Sequence, residues 1–421
     1  MFYPNTLLIL GNGFDLHCGL KSSYEDFFRS AIIDTTSESF GVKQLKAGVT
    51  GFWEKLLLKY YLFHNKKDYN WCDIERIIKD TLFSVFVDKT RLGITIWELA
   101  NENNDPKLKH REILSKMSLI DLFLFQYCTD FYVTANSKGT EDAKQELAIH
   151  LLQQLNNLEK RFCKYLKEQI INVNVNGNNG IVLNTVYITN AINLLVQLTG
   201  FTSSNYNGFN RIVHQEFRKC EEKTDPNCVN VSWKNVNVLA NEFGNLSTTS
   251  ILSFNYTAIF DILLVESPCI YSNVHGKLCN KQCIEGCGSS SVTFGIDDKL
   301  IQENSEAFNL RMFSKTYRKM LAIGKPLNIL PQKNISQIEI KFYGHSLSEA
   351  DYSYFQSIFD YYDLYENTNV SLTFYYSEGY EQNDAIYGLI SEYGKTLINK
   401  EQGKNLIHKL LLENRLKIEK I

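Results

Sequence analysis

The chain has 421 residues, 44% of them hydrophobic and 22% charged, with a formal net charge of -3. That length supports a large buried core and more than one plain domain, and 6 prolines leave little room for long disordered linkers. The even charge balance argues against a duplex nucleic-acid partner, which calls for a basic surplus or a basic face.

The first apolar run, residues 6–10, stops at Gly11. It falls short of the roughly 7–15 apolar residues at the centre of a secretory leader. No stretch reaches the ~18–20 apolar residues of a membrane span. A cytoplasmic protein with no membrane partner is therefore expected, its 10 cysteines reduced. Cys279-x3-Cys283-x3-Cys287 lacks the C-x2-C pair and the fourth ligand of a structural zinc site, so a variable loop with free thiols, and no metal, is expected there.

In chain order, residues 6–10 read as a strand buried on both faces, broken by Gly11-Asn12-Gly13 and followed by a helix. Residues 40–170 read as mainly helical. Within them 117–133 is a buried helix, and 147–170 is the clearest amphipathic one, with Leu147, Leu151, Leu155, Leu158, Phe162, Leu166 and Ile170 on one face. Residues 172–180 are a loop, and 181–188 are rich enough in Val and Ile to predict a strand. Residues 203–230 carry no clear pattern. Strands follow at 250–254, 270–274, 338–343 and, last, 371–376. A helix is expected over 256–264, and another over 396–418. This rhythm predicts an α/β fold with a mostly parallel sheet. Residues 1–36 and 241–421 would build the nucleotide-binding domain, and 37–240 a mainly helical insertion.

Four of these strands end in polar or glycine-rich motifs. Gly11-Asn12-Gly13-Phe14-Asp15, with Gly19, aims backbone N–H groups and a helix start at one point, which suits a phosphate; a tight turn without a ligand explains it equally well. The spacing is not the G-x-G-x-x-G of dehydrogenases. Asn255 ends the second strand, where it either presents its amide to a ligand or caps a helix. His275, before Gly276, is placed for acid–base work or for an ordinary structural hydrogen bond. Gly344-His345-Ser346 precedes Ser348 and Asp351, which read as a variant capping box. Asp73 and Glu75 read as a helix cap and a first-turn acid.

The same residues carry a family resemblance. LLILGNGFDLHCGLKSSYEDF (7–27), WCDIE (71–75), SFNYT (253–257), NVHGKL (273–278), FGIDD (294–298) and YGHSLSEADYSYF (343–355) resemble, in order and rough spacing, the AbiH family of phage abortive infection. That family is distantly similar to the sirtuin NAD-binding fold, which implies a Rossmann-like, sirtuin-like sheet. The likeness implies nucleotide binding by Gly11, Asn12, Gly13, Phe14, Asp15, Gly19, Gly344, His345 and Ser346. It implies His275 as the catalytic base and Asn255 beside the nicotinamide ribose. Position 15 departs from it, with Asp where sirtuins have a small hydroxyl residue. The three cysteines after His275 depart from a four-cysteine zinc ribbon.

The resemblance implies an antiphage effector that hydrolyses NAD to nicotinamide and ADP-ribose, with NAD as substrate. The alternative is a sensor that binds NAD or ADP-ribose without turnover. A nuclease is disfavoured by the lack of a carboxylate-rich metal motif. An effector of this kind must be silent before infection, which implies a phage-derived trigger or partner protein, or a homo-oligomer. The roles of Asp15, Glu75 and Asp297 stay open at this level.

Overall fold

A computed structural model describes residues 5–34, 44–63, 71–90, 93–102, 111–135, 140–172, 182–199, 248–257, 259, 269–278, 292–297, 301, 310–321, 328–333 and 337–421. Residues 203–230, Cys279, Cys283 and Cys287, and nearly all of the helix expected at 256–264 lie outside them.

The chain forms two compact units. The first comprises residues 1–22, 164–292 and 324–421. At its centre is a sheet of six strands: β1 (Thr6–Leu10), β2 (Thr249–Ser253), β3 (Ile270–Asn273), β4 (Ile338–Tyr343), β5 (Val370–Tyr376) and β6 (Leu416–Lys420). Their order is β3-β2-β1-β4-β5-β6, with every neighbouring pair parallel. This is the doubly wound, Rossmann-like order, in which the chain reverses direction across the sheet between β1 and β4.

β1 shows why the strand run is apolar throughout. A parallel sheet with both faces covered needs apolar side chains on both, and alternation along the strand divides them. Leu8 and Leu10 pack with Phe14 and with helix Thr185–Leu198 on one face. Leu7 and Ile9 pack on the other face with helices Tyr352–Tyr362, Asn383–Thr396 and Lys400–Leu412. A lysine interrupts the first face without orphaning its charge. Lys341 of β4 is buried, and its Nζ donates at 3.1 Å to the carbonyl of Leu198, at the negative end of helix Thr185–Leu198.

Two sequence expectations are corrected here. Residues 181–188 are not one strand: Val182–Leu183 make a two-residue ladder, and a helix starts at Thr185. Asn184 caps it, its side chain accepting the Tyr187 N–H at 3.1 Å. That cap, with apolar residues out to Leu198, outweighs the β-propensity of a few branched residues. The terminal helix does not run to 418. It ends at Leu412, and Leu416–Lys420 form a sixth strand. Asn414 takes φ 54°, and the buried Arg415 guanidinium donates to the carbonyls of Val370 (2.7 Å) and Leu364, which draws the chain onto β5.

The second unit, residues 23–163 and 293–323, is helical. It holds helices Phe52–Phe63, Trp71–Phe86, Ile96–Glu102, Leu119–Ala135 and most of Thr140–Ile170. Asp73 lies within helix Trp71–Phe86. Glu75 is buried against Lys315, Oε1 to Nζ 2.5 Å. Glu159 holds Arg318 through both carboxylate oxygens, at 2.6 and 2.8 Å. Paired in this way, buried charges avoid the cost of standing alone. Asp297 also lies in this unit.

Candidate functional site

In open α/β sheets ligands bind beyond the carboxyl ends of the strands, next to the point where strand order reverses. The carboxyl ends of β3, β2, β1 and β4 follow one another along this sheet. They deliver, in that order, His275, Asn255, the turn 11–13 and the turn 344–346.

The polar centre is a carboxylate shared by two histidines. Asp351 Oδ1 lies 2.8 Å from His275 Nε2, and its Oδ2 lies 3.3 Å from His345 Nε2. His345 Nδ1 accepts the Leu347 N–H at 2.9 Å, which puts the His345 proton on Nε2, facing Asp351. The Phe254 ring stands beside both imidazoles, its centroid 4.5 Å from His345 and 5.4 Å from His275. Tyr354 packs on His275 at 5.8 Å. A carboxylate beside a histidine at a strand end is an arrangement that a general base can use.

Asn255 stands apart from this network. Its backbone is fully used: the N–H donates to Ser253 Oγ at 3.2 Å, and the carbonyl accepts from Asn273 Nδ2 at 2.8 Å. Its side chain is only 2% exposed, yet neither Nδ2 nor Oδ1 has a hydrogen-bond partner among the described residues. Leaving one such group unsatisfied costs about 1–3 kcal/mol. A ligand that supplies an acceptor and a donor would recover that cost.

The glycine turns carry a second requirement that their spacing does not reveal. The Gly11 N–H donates to the Tyr343 carbonyl at 3.0 Å, and the Gly13 N–H to the Gly344 carbonyl at 2.8 Å. A Cβ on Gly11 would lie 2.3 Å from His345 Cα, and one on Gly13 would lie 2.6 Å from Gly344 Cα. Gly344 has φ +67°, and a Cβ there would meet the Phe14 nitrogen at 2.5 Å. The two turns therefore lock backbone to backbone across the switch point, and the N–H groups of Gly11 and Gly13 are spent on that lock.

The neighbouring candidates divide. Ser346 is exposed beside the turn, whereas Phe14 is committed to the core. Asn12 exchanges hydrogen bonds with Ser22, Ser22 Oγ donating to Asn12 Oδ1 at 2.7 Å. Gly19, at φ +87°, ends the short helix Gly13–His17. Asp15 is fully buried on the opposite face of the sheet from Phe254 and accepts hydroxyl protons from Tyr187 at 2.6 Å and Thr257 at 2.9 Å. It caps no helix; it ties the first turn to helix Thr185–Leu198 and to the end of β2.

Burial raises the Asp15 pKa to about 6, against the lowering effect of its two hydroxyl donors. An acid whose pKa is higher folded than unfolded binds more protons in the folded state between the two values. Stability from this group is therefore greatest below about pH 4 and falls as pH rises through 6, by roughly 3 kcal/mol in all. Asp15→Asn removes that dependence. The unfolding free energy of wild type minus that of the variant, followed by denaturant titration from pH 4 to 7, is expected to decline across the window. A flat difference would show that Asp15 is not the group described.

Asp351 escaped the sequence reading because Ser348 and Asp351 fit a capping box. Ser348 does precede the turn Glu349–Asp351, but no side-chain cap bond forms there, and the carboxylate turns to the histidines instead. The available signal was an acid six residues after a histidine at a strand end. Among the described residues, no three His, Cys, Asp or Glu side chains are grouped to hold a metal ion. Nor is any described helix long and apolar enough to cross a membrane.

Comparison with known families decides the affiliation. The family model described as "Bacteriophage abortive infection AbiH" matches residues 7–210 and 156–376, together most of the chain. The chain belongs to the AbiH family. Membership points to a role in abortive infection by phage, and every strand-end motif above falls inside the matched residues. No curated protein and no solved structure matches the chain.

Proposed function

We propose that this AbiH protein is an abortive-infection effector that hydrolyses NAD to nicotinamide and ADP-ribose, using the carboxyl ends of β1 to β4. The observation that carries the reading is Asn255: a buried amide with no partner among the described residues, at the end of β2 in a dinucleotide-type strand order, with the His275–Asp351 pair placed from the end of the neighbouring strand β3. A ribose diol or a carboxamide offers the donor and acceptor that this amide lacks. The likeness to sirtuin motifs at Asn255, His275 and 344–346 agrees with that choice of ligand.

In this reading water attacks the ribose carbon as the bond to nicotinamide breaks, and positive charge builds on the sugar. His275 takes the proton from that water or from a ribose hydroxyl, and Asp351 stabilises the resulting imidazolium. Asn255 orients the ribose. The burial of His275, Asn255, His345 and Asp351, each between 2% and 5% exposed, agrees with a form closed before infection. A phage-derived trigger that opens it fits the same logic.

Calorimetric titration of the purified chain with NAD tests the ligand. Saturable binding is expected, weakened about tenfold or more by Asn255→Ala, since each lost buried hydrogen bond is worth about 1 kcal/mol or more. Equal affinity in the variant would remove Asn255 from the site. Binding without any nicotinamide release would turn the reading to a nucleotide sensor.

A further inference from the structure

The edge of the sheet that is unpaired among the described residues carries a pattern independent of the site above. β6 is the terminal strand, bonded to β5. The Arg415 carbonyl accepts the Leu372 N–H at 2.7 Å, and Ile421 donates its N–H to the Tyr376 carbonyl at 3.0 Å. Backbone groups alternate in direction along a strand, so the odd-numbered residues of β6 face β5. Leu416, Ile418 and Lys420 turn their N–H and C=O groups outward.

The geometry points to a second copy of this chain as the partner of that edge, its β6 running antiparallel about a twofold axis at Ile418. In this register the outward groups of Ile418 bond to the partner's Ile418, and those of Leu416 bond to the partner's Lys420. Lys417 then faces the partner's Glu419 on both sides of the axis. These are the non-hydrogen-bonded positions, where side chains approach most closely, with Cα atoms about 4.5 Å apart.

Charge selects this register over its neighbours. Centring the axis on Lys417 would set Lys417 against the partner's Lys417. Centring it on Glu419 would set Glu419 against the partner's Glu419. Opposite charges directly across a strand pair stabilise it, and like charges destabilise it. Charged residues commonly keep edge strands apart; here the order Lys-Ile-Glu makes the edge self-complementary. Both charged residues are exposed, and Ile418, at 43% exposure, would be covered by its own symmetry mate. The contact is isologous, as closed twofold dimers require.

Sedimentation of the full-length protein over a wide concentration range tests this directly. A monomer–dimer equilibrium is expected, weakened by salt. Lys417→Glu and Glu419→Lys should each weaken it by about tenfold or more, about 1.4 kcal/mol. Mixing the two variants restores opposite charges at both positions and should give a heterodimer as tight as the wild-type dimer. Ile418→Pro deletes an outward N–H while sparing the inward ladder, and should leave a folded monomer with an unchanged circular dichroism spectrum. A wild type that stays monomeric, single reversals that associate normally, or a mixture that fails to pair would each overturn the proposal.

Discussion

Gly344→Ala is expected to cost the sheet unit about 2–5 kcal/mol, a large share of a typical folding free energy. Two penalties combine. A residue other than glycine at φ +67° pays about 1–2 kcal/mol for the left-handed backbone. Its Cβ would also sit 2.5 Å from the Phe14 nitrogen and 2.8 Å from Gly13 Cα. Those are backbone atoms of a buried turn and have nowhere to go, and such overpacking adds about 1–3 kcal/mol. Gly11→Ala should behave similarly through its approach to His345. Gly19→Ala is the internal control. Its φ is +87°, but nothing lies within 4 Å of the added carbon, so only the backbone penalty of about 1–2 kcal/mol applies. Denaturant unfolding of the three variants decides the matter. If Gly344→Ala and Gly19→Ala cost the same, the turns are not locked as described. Loss of nucleotide affinity in Gly11 or Gly13 variants is accordingly informative only alongside a melting curve.

His275→Ala is expected to lower NAD cleavage by about 10²–10⁴, the usual contribution of a general base. Its effect on folding should be modest beside that, because the ring is held mainly by Asp351 and by aromatic contacts to Phe254 and Tyr354. Asp351→Asn supplies the sharper test. Asparagine keeps the size but removes the charge that stabilises the imidazolium. The rate per folded molecule should therefore fall. A structural role alone would reduce the amount of folded protein and leave the rate per folded molecule unchanged. Among the described residues, the groups beside His275 include Asp351, Tyr256 and Tyr354, with His345 sharing the same carboxylate.

Much of the fold was legible because its signals are local. The apolar run of β1 has the length and composition of a doubly covered strand and ends at Gly11, and β4 likewise ends at a glycine, Gly344. β6 was hidden because LKIEK is charged and half-exposed, like the face of a helix. Its identity comes from the Arg415 anchor and from pairing with β5, neither of which is local. Helix Thr185–Leu198 was masked at its start by Val182, Val186 and Ile188, and only the Asn184 cap announces it. The site was legible as a set of strand ends. Its wiring was not: Asp351 lies 76 residues from His275 in the chain, and only the fold brings them to 2.8 Å. Asp15 shows the same limit. The role of this carboxylate after a glycine turn stayed open, because its hydroxyl partners are 172 and 242 residues away.

The most direct test is nicotinamide release from NAD by the purified full-length protein and by cells expressing it, with and without phage infection. Wild type, Asn255→Ala, His275→Ala and Asp351→Asn are compared, each checked for folding by melting. The account predicts release by wild type, at least during infection, and a loss of about 100-fold or more in folded His275→Ala. Wild-type protein that never releases nicotinamide under any of these conditions, or His275→Ala that releases it at the wild-type rate, would contradict it.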